Sequence, residues 1–111
     1  MDQQEFDLIV VILPAGKAEE ALEAAREAGA EGATIIHGRG TGIHEQKRIF
    51  NILVEPEKDI LLLLVPQDLT DSITAAIDKA VDLNQPGHGI GFVLPTKRVM
   101  GLCHPYPKHG S

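Results

Sequence analysis

The sequence predicts an α+β sandwich: one four-stranded antiparallel sheet with two helices on one of its faces, in the order β-α-β-β-α-β. Three observations predict it. Short β-branched apolar runs alternate with two segments of helical periodicity. The chain has 111 residues, enough for one domain. Two helices can cover only one face of such a sheet, and no further helical pattern exists to cover the other.

Each element has its own local cause. FDLIVVIL (6–13) is short, apolar and β-branched, so it reads as a strand, ended by PAG. KAEEALEAAREAG (17–29) reads as a helix whose buried face is Ala18, Ala21, Leu22, Ala25 and Ala28, at i, i+3, i+4 spacing. Gly29 follows the last periodic residue and suits a left-handed C-cap. GATIIH (32–37) reads as the second strand. KRIFNILV (47–54) reads as a weaker strand or the return limb of a hairpin, and DILLLLVP (59–66) as a strong strand. DLTDSITAAIDKAVDL (68–83) is the second helix, with Asp68 as N-cap, Asp71 in the first turn, and a stripe of Ile73, Ala76, Ile77 and Ala80. IGFVLP (90–95) and RVMGLC (98–103) close the pattern as strands. The domain is expected over 1–103, with 104–111 as a polar, Pro-rich tail.

This order is the ferredoxin-like split βαβ arrangement. In it, LIVVIL and ILLLLV are apolar at both parities, whereas a half-solvated sheet alternates. The uncovered face therefore calls for an oligomer that packs sheet against sheet.

Composition narrows the function classes. The chain is 43% hydrophobic and 23% charged, with only 4% aromatic residues, so Ala, Ile, Leu and Val must build the core. Net charge is −6, which argues against a general nucleic-acid binder. The first 82 residues carry all 16 acids and 7 of the 10 bases; Lys97, Arg98 and Lys108 follow without an acid. The single cysteine, Cys103, cannot form an internal disulfide, and the acidic start MDQQEFD is no signal peptide. A cytoplasmic protein is expected.

Four groups of residues invite chemistry. In HGRGTG, alternating Gly38, Gly40 and Gly42 permit positive φ and can bring backbone N–H groups close to an anion. The spacing fits neither a P-loop nor a dinucleotide fingerprint, so a ligand loop and a hairpin turn both remain open. PGHGIGF (86–92) repeats the alternation with Gly87, Gly89 and Gly91. Should the two loops converge, across a subunit interface for instance, they make a cleft rich in donors. His37, His44, His88, His104 and His109 with Cys103 are candidate metal ligands, but their spacing matches no zinc pattern. Ser72 and Thr70 sit where helix capping explains them. No paired carboxylates or activated nucleophile stand out, so the sequence points to binding rather than catalysis.

At these residues the chain resembles the P-II signalling family. Gly32-Ala33-Thr34, then Arg39-Gly40-Thr41-Gly42, follow the family pattern G-[MA]-T-x-x-x-x-[KR]-G-x-G, and Gly87-His88-Gly89-Ile90 leading to Gly91-Phe92-Val93 follows its B-loop. The resemblance covers roughly residues 5 to 103. It implies a homotrimer with an adenine nucleotide, AMP, ADP or ATP, or another small anion, between subunits, and no enzymatic activity. By the same resemblance Thr34 lies near the adenine, and Arg39, Gly40, Thr41, Gly42 and Lys58 line the nucleotide. Gly87, His88 and Gly89 cradle phosphates. Loop 40–57 then engages a partner such as a membrane transporter or a metabolic enzyme. The chain departs from the family in a short loop without tyrosine, in Ile90 at the B-loop lysine, and in Gly101 and Cys103 at a phosphate-gripping R-x-R. A metal-binding trimer similar to the copper-tolerance family CutA, which has the same fold, is the alternative, supported by the histidines.

Overall fold

In a computed structural model, which describes residues 4–42 and 48–102, the chain forms β1 (Phe6–Pro14), α1 (Ala18–Glu27), β2 (Thr34–Arg39), β3 (Arg48–Ile49), β4 (Ile52–Leu53), β5 (Glu57–Pro66), α2 (Thr70–Val81) and β6 (Ile90–Pro95). The main sheet runs β2-β5-β1-β6, with every neighbouring pair antiparallel. That is the expected four-stranded ferredoxin-like order, with β5 and β1 central and β2 and β6 at the edges. Among the described residues, no helix is long and apolar enough to cross a membrane.

Strand parity sorts the side chains. Ile9, Val11 and Leu13 of β1 and Leu61, Leu63 and Val65 of β5 meet Ala21, Leu22 and Ala25 of α1 and Ile73 and Ile77 of α2 in one core. The helical stripes follow the 3.6-residue period, with Ala28 and Ala80 packed at the core's margin, but Ala76 is half-buried outside the core. The opposite parity is also apolar. Val10 is buried, Leu8, Ile12, Ile60, Leu62 and Leu64 are half-buried, and Ile36, Ile90, Phe92 and Leu94 are 44%, 59%, 44% and 46% exposed. No element of the chain covers this face among the described residues, as the unalternating strands imply.

The structure corrects four expectations. Residues 47–54 are not one strand: β3 and β4 pair only with each other, Ile49 opposite Ile52. Phe50 and Asn51 lie between them at φ 51° and 63°, and two successive positive φ values turn the chain back on itself in a two-residue loop. Residues 98–102 are not a strand. After Pro95, Thr96 N–H bonds to Phe6 O, where β1 runs out of residues to pair, and Gly101 at φ 90° breaks any extension. Cys103 lies outside the described residues. The glycines of the first loop do not adopt positive φ at Gly38 or Gly40: β2 continues to Arg39, so Gly38 is an ordinary strand residue.

The fourth correction concerns the helix starts. Asp68 does not cap α2, because a single 3₁₀ turn (Gln67–Leu69) leads into the helix and no side chain caps it locally. Nor do Thr70 and Ser72 cap: the Ser72 hydroxyl donates to Leu69 O, and the Thr70 hydroxyl donates to Asp7 Oδ2 at 2.8 Å. Asp7 also accepts from Gln67 Nε2 at 3.2 Å. A strand-borne, buried aspartate thus holds the approach to α2. Thr70 is buried, so Thr70→Val removes a donor from the Asp7 carboxylate and is expected to cost about 1.5 kcal/mol, read as a lowered urea midpoint with unchanged slope.

Candidate functional site

The two glycine-bearing segments leave the same end of the sheet. Arg39 ends β2 opposite Glu57, Gly38 faces Lys58, Lys58 faces Pro14 at the end of β1, and Ile12 faces Ile90 at the start of β6. They leave it from opposite edges, however. Three strand spacings separate β2 from β6, about 14 Å. One chain therefore does not bring them together.

At the β2 edge, Gly40 N–H donates to Pro56 O at 3.2 Å and the Thr41 hydroxyl to Val54 O at 3.3 Å. These bonds tie the loop's outgoing limb to its returning limb. Gly42 is the last described residue before the segment 43–47, which contains His44. A recess of about 340 Å³ opens here, lined by Ala15, His37, Gly38, Arg39, Glu57, Lys58 and Asp59. Lys58 is buried at 6% exposed, and strand parity sets its side chain on the sheet face opposite Asp59 and His37. Thr34 stands exposed at the other end of β2, five residues and about 16 Å from Arg39. It shares the edge with Arg39 but not the recess.

At the other edge, the loop after α2 is shaped by backbone conformation. Asp82 ends the helix at φ 50°, and its carbonyl accepts from Gln85 N–H. Asp78 Oδ1 accepts from Leu83 N–H at 3.2 Å. Gly87 takes φ 83° and Gly89 φ 130°. Gly89 has a second requirement: a Cβ there would lie 2.5 Å from Ile12 O, inside the central strand's backbone. His88 N–H bonds to Gln85 O, and its Nδ1 donates to Val81 O at 3.1 Å, which fixes the ring and leaves Nε2 as its other polar atom. Next to it, Ile90 is 59% exposed, so no cation stands at that position.

The residue that sequence reasoning missed is Asp59. It is 5% exposed and lies at the helix-facing parity of β5. Its Oδ2 accepts from Gly16 N–H at 2.9 Å and Ala18 N–H at 3.4 Å, and its Oδ1 accepts from His37 Nδ1 at 3.0 Å. Asp59 thus satisfies amides at the start of α1 that no local cap reaches, whereas Asp7 holds the start of α2 through the side chains of Gln67 and Thr70. Burial pushes the carboxyl's pKa up, but the Gly16 N–H, His37 and Ala18 N–H outweigh it, and the pKa is held below its ordinary value. The signal was present in EKDILLLLVP, where an acid falls in step with Leu61, Leu63 and Val65. Among the described residues, no group of three or more His, Cys, Asp or Glu side chains is placed to hold a metal ion. His44, Cys103, His104 and His109 lie outside them.

A model of the family described as nitrogen regulatory protein P-II matches residues 6–103. No curated protein matches the sequence. Among solved structures, the fold is similar to that of a Bacillus cereus protein related to NIF3, with a TM-score of 0.66 and 22% identity over 88% of this chain and 27% of that one. It is also similar to Arabidopsis thaliana PII bound to citrate, with a TM-score of 0.65 and 22% identity over 85% of this chain and 79% of that one. The chain spans about a quarter of the length of the Bacillus protein, and at these identities the structural likeness speaks to fold alone.

Proposed function

We propose, because this chain belongs to the nitrogen regulatory P-II family, that it is a cytoplasmic homotrimer that binds an adenine nucleotide or a similar small anion between subunits. Through loop 40–57 it then regulates a partner protein, a membrane transporter or a metabolic enzyme. The observation that carries the reading is topological. Two donor-rich segments leave one end of the sheet at opposite edges, so they converge only when the edges of two copies adjoin. The uncovered apolar face, with Ile36, Ile90, Phe92 and Leu94 exposed, supplies the surface that would hold the copies together.

On this reading Arg39, Gly40, Thr41, Gly42 and Lys58 of one copy, with Thr34 farther along the same edge, form one wall. Gly87, His88 and Gly89 of the next form the other. The positive φ values at Gly87 and Gly89 suit backbone amides turned toward an anion. With Ile90 in place of a lysine and Gly101 and Cys103 in place of arginines, fewer charges are available to a triphosphate. The gain in affinity from AMP to ATP is therefore expected to be small. The partner-facing part of the loop exposes Ile49, Phe50 and Ile52 at 50%, 95% and 69%, an apolar tip suited to docking.

Sedimentation and thermal unfolding with AMP, ADP and ATP test the proposal. A trimer whose midpoint rises with nucleotide concentration is expected. A monomer, or a midpoint unmoved by any of the three at millimolar concentration, overturns it.

A further inference from the structure

We infer that the groove between α2 and the edge strand β6 receives the heterocyclic base of the nucleotide, and that Gly91 is the residue that keeps it open. The inference rests on the reading of the glycine loop before β6 as an anion cradle, and it sets beside that loop a subsite for the uncharged part of the same ligand.

The backbone supplies no reason for a glycine at position 91. Gly91 lies within β6, paired with Val11 of β1, at the parity that faces the helices. Its φ is not positive. A Cβ there would meet Leu83 Cδ1 at 3.5 Å, Val10 O at 3.7 Å and Val11 Cγ2 at 3.8 Å, all ordinary contacts. Glycine inside a strand costs stability, and where no turn or bulge calls for one it leaves room for a ligand to approach.

That room is a groove of about 510 Å³. It follows β6 from Gly89 to Val93, about 13 Å, with Thr74, Ala75 and Asp78 of α2 as the other wall. Gly91 and Ala75 keep both walls low, and Val11, Ile77 and Leu83 make the floor apolar, a slot that suits a flat ring. Asp78 accepts from Leu83 N–H through Oδ1, which leaves Oδ2 as an acceptor, and the Asn84 amide on the rim can both donate and accept. An uncharged heterocycle with polar edge atoms, such as a purine, uses both groups, whereas a hydrocarbon chain leaves them without partners. Among the described residues the lining holds one carboxylate and no cation, so phosphates do not belong in it. They belong in the adjoining loop, where Gly87 and Gly89 take positive φ, and Gly89 is common to the loop and the groove. With Ile90 uncharged beside that loop, the base supplies most of the affinity.

The test uses the full chain in calorimetric titrations with ATP, with adenosine, which lacks the phosphates, and with tripolyphosphate, which lacks the base. Gly91→Val fills the groove from β6 with a residue type that strands favour, and Ala75→Leu fills it from α2 with one that helices favour. Urea midpoints no lower than wild type show each variant folded, and because the two act from opposite walls, either alone carries the test. Wild-type protein is expected to bind ATP and adenosine, both roughly tenfold or more weakened by either substitution, while tripolyphosphate binding is unchanged. ATP affinity kept in the variants, a wild type that holds tripolyphosphate as tightly as ATP, or a loss shared equally by tripolyphosphate overturns the inference. ATP bound equally by wild type and variants leaves the nucleotide reading standing and removes this one; ATP bound by none of them removes both.

Discussion

Gly89→Ala is expected to destabilise the protein by about 3 kcal/mol or more, the largest effect of a methyl group added at any described glycine. Two independent costs coincide. The residue sits at φ 130°, where an L side chain is strained, and the added Cβ would stand 2.5 Å from Ile12 O, with Leu13 and Leu83 at 3.0 and 3.2 Å. A side-chain end could move aside, but Ile12 O belongs to β1, held between β5 and β6, and cannot yield without breaking the sheet. Gly40→Ala is the control. Its site has no atom within 4 Å and an unexceptional φ, so its cost is expected within about 0.5 kcal/mol. Urea unfolding of both variants checks the pair. Equal midpoints would mean that the loop before β6 relaxes freely, against the geometry described.

Asp59→Ala is expected to cost about 3 kcal/mol, because the buried carboxylate accepts two backbone amides and an imidazole. The loss also has a pH signature. The folded pKa lies below the unfolded one, so the stabilisation is fully present above the ordinary aspartate range and is lost as pH falls through the depressed folded value. Wild-type stability should therefore decline with acid more steeply than that of Asp59→Asn, whose side chain does not titrate. Denaturant midpoints measured from neutral pH down through about pH 3 check this. Parallel declines in the two proteins would show that Asp59 is not the group responsible.

Periodicity made the main sheet and both helices legible, because the core is built from residues whose spacing matches their element. Ile73 and Ile77 on α2 and Leu61, Leu63 and Val65 on β5 are in step with the core face. The uncovered second face was legible for the same reason, since LIVVIL and ILLLLV do not alternate. What escaped was whatever depends on partners distant in sequence. Asp59 reaches Gly16 across 43 residues and Asp7 reaches Thr70 across 63, and no local pattern encodes either bond. Asp68 looked like a cap because Asp before a helical period usually is one; instead a 3₁₀ turn over Gln67–Leu69 leads into α2. The hairpin at Phe50 and Asn51 lacks the glycine that normally announces such a turn. In the candidate site, Gly87 and Gly89 of PGHGIGF take positive φ, whereas Gly38 and Gly91 continue strands.

The account's central claim is that the two walls of the effector site come from different copies of the chain. The most direct test pairs two charge reversals at exposed positions, Arg39→Glu on one wall and His88→Glu on the other. Each variant alone should bind ATP weakly, because each places a carboxylate against phosphate. Trimers assembled from an equal mixture of the two should regain binding at roughly a quarter of their sites, since random assortment sets an unaltered β2 wall beside an unaltered glycine loop in that share of interfaces. A mixture that binds no better than its components would contradict an intersubunit site, because walls carried on one chain could never be restored by mixing.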